Sequence, residues 1–311
     1  MEKEVYETKK DQSAMVEEWA RLVRKTFGDG DAVRDATVKD PEDVRMVTDI
    51  LYDGVNLLDV YYPASYDKET PVVVNVHGGA YVYGSKEIYR HYGLNMASQG
   101  CIFVNANYRL APEFKFPAQL EDINHVLEWI VKNSAEYSLR PDNVFMAGDS
   151  AGAQMLSHFA AIYSNKDFAA QFDFRIPEEI KLKGVALNCG LYDLKKIANT
   201  PEGEEERPDD HLLMAAYLGE EGKKKTSQID VLSNITANYP PAIVMTSYYD
   251  FLRDLAKPFY DLLKERGAEC IYQFYGEEGQ EYMGHVFHCN LNLEEAKICN
   301  KDQLDFFRRH V

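Results

Sequence analysis

The sequence predicts an α/β protein in which a mostly parallel β-sheet is covered by helices on both faces. The main observation is that short apolar runs alternate with helical stretches from Val72 onward, as in successive βαβ units. A second observation is size, since 311 residues with 45% hydrophobic side chains can bury one large core. No internal repeat interrupts the pattern. We therefore expect residues 1–311 to form a single domain.

Eight strands are expected. The first two form a hairpin within Val44–Tyr62, because the apolar residues alternate there around an Asp53-Gly54 turn signal. Six more strands are short apolar runs: Val72–Val76, Ile102–Asn105, Val144–Ala147, Leu182–Asn188, Ile243–Thr246 and Glu269–Phe274. The helices expected between them lie at about residues 86–99, 117–133, 151–164 and 254–266.

Two segments depart from this alternation. The highly charged N-terminal region places apolar residues from Met15 to Val23 at helical spacing, which predicts an amphipathic helix. Residues 194–230 are polar, yet His211–Leu218 within them has a helix-like composition. We expect residues 1–45 and 194–230 to form a helical cap over the sheet.

Composition excludes several kinds of partner. The net charge of −17 disfavours nucleic acid and anionic membrane surfaces, which are bound through Lys and Arg.

We expect no signal peptide and no membrane-spanning segment, because the N-terminus is charged and no apolar run is long enough. The five cysteines form no C-x-x-C pair, which indicates free thiols in a reducing compartment and therefore a cytoplasmic location. The sequence leaves a homodimer open.

The strongest local pattern is Gly148-Asp149-Ser150-Ala151-Gly152, which lies between a predicted buried strand and a predicted helix. Glycines two residues before and after Ser150 permit a sharp strand-to-helix turn that exposes the serine oxygen. The following helix would direct its N-terminal amides at the group that the serine attacks. A glycine-flanked turn with an ordinary serine is the alternative, so the interpretation depends on finding partners for Ser150.

Donors for an oxyanion are expected from the loop that follows the strand Val72–Val76. Gly78, Gly79 and Ala80 place small residues where backbone N–H groups can face a substrate oxygen. We favour Gly79 and Ala80 as the donors and assign Gly78 to the turn. The N–H of Ala151 would complete the oxyanion hole. His77 is interpreted as a residue that braces the loop.

An acid and a base follow the serine along the chain. Asp250 lies on the loop after the strand Ile243–Thr246, where a carboxylate can orient an imidazole, whereas Asp254 fits better as a helix N-terminal residue. His285 follows the last strand and directly succeeds a glycine, which makes it the favoured base. His288 remains a competitor, with a surface or supporting position as its other interpretation. The order serine, aspartate, histidine is that of one known hydrolase arrangement.

The chain resembles α/β-hydrolases of the hormone-sensitive-lipase-like carboxylesterase group. The resemblance covers roughly residues 70–290 and is carried by five motifs: His77-Gly78-Gly79-Ala80, Asn107-Tyr108-Arg109-Leu110-Ala111-Pro112-Glu113, Gly148-Asp149-Ser150-Ala151-Gly152, Asp250-Phe251-Leu252-Arg253-Asp254 and Gly284-His285. It implies the α/β-hydrolase fold with Ser150 as nucleophile, Asp250 as orienting acid and His285 as base. Ala80 departs from the third glycine usual in this family, but it keeps the N–H. Arg109 and Glu113 are expected to brace the loop below the site.

The leading hypothesis is a serine carboxylesterase that hydrolyses small esters, with short-chain acyl or aryl groups, through an acyl-enzyme intermediate. The expected partner is therefore a small-molecule ester, and no cofactor or metal is required. An amide or aryl formamide hydrolase that uses the same triad is the alternative. A non-catalytic ligand-binding protein is the third interpretation, which the presence of all three catalytic groups disfavours.

Overall fold

An eight-stranded sheet forms the centre of the protein in the computed structural model, which describes residues 2–311, with side chains from Ser13 onward. The strands are β1 (Arg45–Leu51), β2 (Leu57–Tyr62), β3 (Val72–Val76), β4 (Ile102–Ala106), β5 (Val144–Asp149), β6 (Leu182–Asn188), β7 (Ala242–Ser247) and β8 (Cys270–Tyr275). Their order across the sheet is β1-β2-β4-β3-β5-β6-β7-β8. Strand β2 runs antiparallel to both of its neighbours, β1 and β4, and the remaining pairs are parallel. The predicted fold class is confirmed, as is the hairpin at the start of the sheet.

Helices cover the sheet. They are α1 (Glu2–Asp35), α2 (Arg90–Ser98), α3 (Ala118–Asn133), α4 (Ala151–Ser164), α5 (Lys166–Ala169), α6 (Leu194–Asn199), α7 (Asp210–Tyr217), α8 (Gly219–Lys224), α9 (Arg253–Glu265) and α10 (Glu294–Arg308). The N-terminal helix is longer than the apolar spacing indicated, and α2 begins four residues later than expected, at Arg90. None of the helices within residues 2–311 is both long and apolar enough to cross a membrane.

The central strands are buried on both faces. All five residues of β3 are buried, and Val72 and Val74 belong to one hydrophobic cluster whereas Val73 belongs to another. Successive side chains of a strand point to opposite faces, so the two clusters are the cores above and below the sheet. This two-sided burial explains why the strands are continuous apolar runs rather than alternating ones.

Helix α1 packs against α7, which lies in the polar segment 194–230. Arg24 fixes α1 to the body of the protein, because its guanidinium donates to the carbonyl oxygens of Val82 and Ala111 and pairs with Glu113 at 2.7 Å. Glu113 therefore holds α1 rather than the loop that the sequence had indicated. Arg109 does brace that loop, through a bond of 2.7 Å to the buried Asp122 of α3.

Candidate active site

The serine turn lies at the carboxyl end of the central strand β5. Ser150 has φ 51° and ψ −120°, a strained conformation for a residue with a side chain. Space there requires glycine, because a Cβ on Gly152 would lie 2.0 Å from the Val76 carbonyl oxygen. One on Gly148 would lie 2.9 Å from the Gly152 backbone. The chain thus makes the sharp strand-to-helix turn that exposes the Ser150 hydroxyl at the N-terminus of α4.

Ser150, His285 and Asp250 form a hydrogen-bonded chain. The Asp250 carboxylate lies 2.6 Å from His285 Nδ1, and His285 Nε2 lies 2.9 Å from Ser150 Oγ. A carboxylate only accepts, so Nδ1 carries the proton and Nε2 is free to accept one from the serine. The fold brings His285 into contact with Asp250, 35 positions away along the chain, and with Ser150, 135 positions away.

The surroundings of Asp250 keep it ionised. Burial alone would raise the pKa of this carboxyl, but hydrogen bonds from His285, from the Thr246 hydroxyl and from the Leu252 amide hold it below its ordinary value. Thr246 Oγ1 donates to Asp250 over 2.6 Å from the end of β7. Sequence reasoning did not single out Thr246, since a threonine at the end of a strand carries no specific signal. An ionised Asp250 can orient the imidazole and stabilise it once it is protonated.

The two competing residues lie elsewhere. The Asp254 side chain is 92% exposed and pairs with Arg253 at 3.5 Å, in the first turn of α9 as expected for a helix N-terminal residue. His288 is 1% exposed rather than on the surface, and burial lowers its pKa to about 3. Its Nε2 faces the Cys289 sulfur at 3.5 Å, so it takes no part in the serine–imidazole chain.

The loop after β3 turns its backbone through left-handed conformations. The φ values are 118° at Gly79, 52° at Ala80 and 62° at Tyr81, so Ala80 adopts the conformation that usually requires glycine. Among residues 2–311, the N–H groups of Gly79, Ala80 and Ala151 donate to no acceptor. The Gly78 N–H differs, because it donates to Tyr89 and Asp149 inside the protein. Gly78 is therefore a turn residue and not an available donor.

His77 supports this loop from the interior. Its ring stacks on Tyr108 with 4.1 Å between centroids, and its Nδ1 donates to the Gly78 carbonyl oxygen. Burial lowers the pKa of His77 to about 4, so the ring is neutral at physiological pH. These contacts fit the bracing position that the sequence indicated.

A cavity of about 730 Å3 opens above Ser150 and His285. One wall is α1, which contributes Trp19, Val23 and Phe27, and another comes from the segment 194–230. Phe251 stands beside the imidazole, 4.3 Å between ring centroids. Tyr81, Tyr83, Tyr89 and Phe251 also line this cavity. The cavity has the size and the largely apolar character of a small-molecule site.

The charged groups in the cavity wall are mainly acidic. Arg34 is paired with Asp31 at 2.6 Å, and Arg207 is paired with Asp210 at 2.9 Å, so both arginines already have carboxylate partners. Asp209 adds a further carboxylate and has a left-handed backbone with φ 67°. The wall therefore offers a substrate carboxylate no uncompensated cation.

Two groups of potential metal ligands occur in the part of the chain that the structure describes. One consists of Cys189 together with Asp250 and His285 of the serine chain. The other consists of Asp53, Asp122 and His125, in which Asp122 is already bound by Arg109.

Known proteins resemble this chain in sequence and in fold. The BD-FAE family model matches residues 58–254, which is more than half of the chain. Tuliposide A-converting enzyme 1 of Tulipa gesneriana is 26% identical over 74% of this chain and 60% of its own length. Esterase LipQ of Mycobacterium tuberculosis is 27% identical over 70% of this chain and 51% of its own length. The chain thus spans less than two thirds of the length of these curated relatives.

Solved structures share the fold over nearly the whole chain. Esterase B from Lactobacillus rhamnosis superposes with a TM-score of 0.85 at 23% identity and covers 96% of both chains. An esterase of the archaeon Pyrobaculum calidifontis superposes with a TM-score of 0.73 at 25% identity, over 93% of this chain and 91% of the other. The α/β-hydrolase fold that the motifs implied is confirmed. Because the BD-FAE family model matches residues 58–254, which include the serine turn, the chain belongs to the BD-FAE family.

Proposed function

We propose that this protein is a serine carboxylesterase that hydrolyses small, uncharged carboxylic esters through an acyl-enzyme intermediate. The observation that carries the proposal is the unbroken chain Asp250–His285–Ser150, with distances of 2.6 and 2.9 Å, at the floor of the cavity. The relative LipQ and the structural neighbours from Lactobacillus rhamnosis and Pyrobaculum calidifontis bear the names of esterases, which supports the same reaction class.

In this reaction Ser150 Oγ attacks the ester carbonyl carbon while His285 Nε2 takes the hydroxyl proton. The oxygen of the tetrahedral intermediate is stabilised by the N–H groups of Gly79, Ala80 and Ala151. His285 then passes its proton to the leaving alcohol, and the acyl group stays on Ser150. A water molecule, deprotonated by the same imidazole, then attacks the acyl carbon, and the imidazolium returns the proton to Ser150 Oγ as the bond to the acyl group breaks and the acid leaves.

The cavity supports the choice of substrate. Its apolar wall suits a short acyl or aryl group, and its paired arginines leave no site for a substrate carboxylate. We assign the cap role to α1 and the segment 194–230, because both contribute to the wall above Ser150. A structural neighbour inhibited by a tributyrin phosphonate supports short acyl chains.

All the residues proposed for the reaction come from one chain, so a homodimer is not required for it. We retain a cytoplasmic location in the proposal, and the five free thiols support it.

The proposal is tested by the turnover of p-nitrophenyl esters with acyl chains from C2 to C12, for the wild type and for Ser150→Ala. We expect turnover to be highest for short chains and to be abolished in the variant. Parallel rates on N-formylkynurenine test the formamide alternative. Faster turnover of the formamide than of the acetate ester would replace the esterase assignment, and undiminished ester turnover by Ser150→Ala would remove Ser150 as nucleophile.

A further inference from the structure

A buried hydrogen-bond network connects the oxyanion loop to the serine turn. The Tyr89 hydroxyl donates to Asp149 Oδ2 over 2.7 Å and accepts from the Gly78 N–H over 3.0 Å. The same N–H also points at Asp149 Oδ1, at 3.2 Å. Asp149 is the last residue of β5 and directly precedes Ser150. One phenol thus joins the loop that carries the donors to the strand that carries the serine.

The network has little freedom to rearrange. Tyr89 is 7% exposed and Asp149 is 2% exposed, so bulk water has little access to their hydrogen bonds although both residues border the cavity. The fit against Gly78 is close, because a Cβ there would lie 2.5 Å from Asp149 Oδ2. Losing the phenol would leave the Asp149 carboxylate with one buried donor fewer, which is costly in a nonpolar interior.

The position of the Gly78 amide determines where the next amides point. From Gly78 the chain passes directly into the left-handed residues Gly79, Ala80 and Tyr81, a conformation that persists only where its surroundings enforce it. On the far side of the turn, the N–H groups of Val82 and Tyr83 both donate to the Gly79 carbonyl oxygen. Tyr89 and Asp149 fix the near side.

We propose that Tyr89 is a positioning residue for ester hydrolysis, because its hydroxyl fixes Gly78 against Asp149 and so directs the Gly79 and Ala80 amides at the substrate oxygen. The inference rests on the proposed esterase function. Tyr89 acts through the loop and needs no chemistry of its own. Burial raises the pKa of this phenol well above its ordinary value, so it remains protonated.

The ionisation state of Asp149 also affects this hydrogen-bond network. Burial raises its pKa to about 6, against the lowering effects of the Tyr89 hydroxyl, of His285, of the Gly78 amide and of Arg34. Three further buried titratable groups interact with the Asp149 charge: the Cys289 thiol and the phenols of Tyr92 and Tyr108. Removing the phenol of Tyr89 removes the leading stabiliser of the carboxylate, so the pKa of Asp149 rises further. We therefore expect the acid limb of the kcat–pH profile to move to higher pH in Tyr89→Phe.

The test is Tyr89→Phe, which deletes one oxygen and keeps the ring. Removing a whole oxyanion donor costs about 10^2–10^3 in kcat, so misdirecting the loop should lower kcat for p-nitrophenyl butyrate by about tenfold or more. We expect KM to stay within about twofold, since the ring that borders the cavity is kept and the deleted hydroxyl bonds Gly78 and Asp149. Tyr92→Phe is the matched control, because Tyr92 is also buried and its hydroxyl donates to Gln303 over 3.1 Å, away from the Gly78 amide.

A second measurement separates positioning from general destabilisation. If Tyr89 and Asp149 act through the one Gly78 amide, the kcat effects of Tyr89→Phe and Asp149→Asn are not additive in the double variant. Should Tyr89→Phe not fold, Asp149→Asn alone must still lower kcat at constant KM.

The outcomes are distinguishable. Absence of ester turnover in the wild type overturns the proposed function and this inference with it. Wild-type turnover with an unchanged kcat in folded Tyr89→Phe, or an equal loss in Tyr92→Phe, overturns the role of Tyr89 and leaves the esterase assignment intact.

Discussion

Replacing Asp250 by asparagine tests the geometry of the triad most severely, because the substitution preserves shape and removes charge. In the wild type the carboxylate accepts the His285 Nδ1 proton over 2.6 Å. An asparagine can present its NH2 group to Nδ1, which then must accept, so the ring proton moves to Nε2. In that tautomer Nε2 no longer accepts the Ser150 proton.

The magnitude follows from the charge that develops on the imidazole. A carboxylate and an imidazolium with charge centres about 4 Å apart attract by about 4 kcal/mol at an effective dielectric constant of about 20. Since about 1.36 kcal/mol corresponds to a tenfold change in rate, losing this attraction lowers kcat about 10^3-fold. The wrong tautomer adds to the loss, and the corresponding change in serine proteases lowers kcat by about 10^4.

The assay is steady-state hydrolysis of p-nitrophenyl butyrate, with far-ultraviolet circular dichroism to verify that each variant is folded. Asp254→Asn is the control, since Asp254 lies four residues away with a side chain 92% exposed. We expect Asp254→Asn to retain kcat within about twofold. An Asp250→Asn enzyme within about tenfold of the wild type, or an equal loss in Asp254→Asn, would refute the assignment.

Three further expectations concern stability, the helix α1 and substrate charge. Burial lowers the pKa of His158 to about 3 in the folded protein, against about 6.5 in the unfolded chain. Between these two pH values only the unfolded chain binds a proton at His158. Acidification to about pH 5 therefore lowers the free energy of unfolding by about 2 kcal/mol through this residue. Urea unfolding of His158→Leu should therefore show about 2 kcal/mol less loss than the wild type between about pH 7.5 and pH 5, and an equal loss would contradict the argument. Because Arg24 fixes α1 to the body of the protein, Arg24→Met should raise KM about threefold and make α1 susceptible to limited proteolysis. Lys25→Met, at an exposed position of the same helix, should change neither KM nor proteolysis. Equal KM values for the two variants would argue against a role for the Arg24 contacts. Because the cavity carboxylates outnumber the arginines, p-nitrophenyl hemisuccinate should show about tenfold lower kcat/KM than the butyrate, and a preference for the succinate would show a free cation in the cavity.

The sequence predicts best those features that depend on a few consecutive residues. The strand, glycine, serine, glycine and helix of the Ser150 turn form one local pattern, and the structure shows the strained φ of 51° that the pattern implied. For the acid and the base, the placement after a strand leaves two candidates each: Asp250 or Asp254, and His285 or His288. The fold decides between the candidates, because it brings Asp250 and His285 into contact across 35 positions of the chain.

What the sequence could not predict depends on contacts between distant segments. Nothing around Tyr89 indicates that its hydroxyl meets Asp149, 60 positions away along the chain. Arg24 looks like any charged residue on an amphipathic helix until its carboxylate partner, 89 positions distant, is known.

The central claim is that Ser150 carries the acyl group, and covalent trapping tests it most directly. Treatment of the wild type with diethyl p-nitrophenyl phosphate should inactivate it in step with the attachment of one diethylphosphoryl group, found by mass spectrometry on the peptide that contains Ser150. Ser150→Ala should remain unlabelled under the same conditions. Complete inactivation with the adduct on another residue, or equal labelling of Ser150→Ala, would contradict the account.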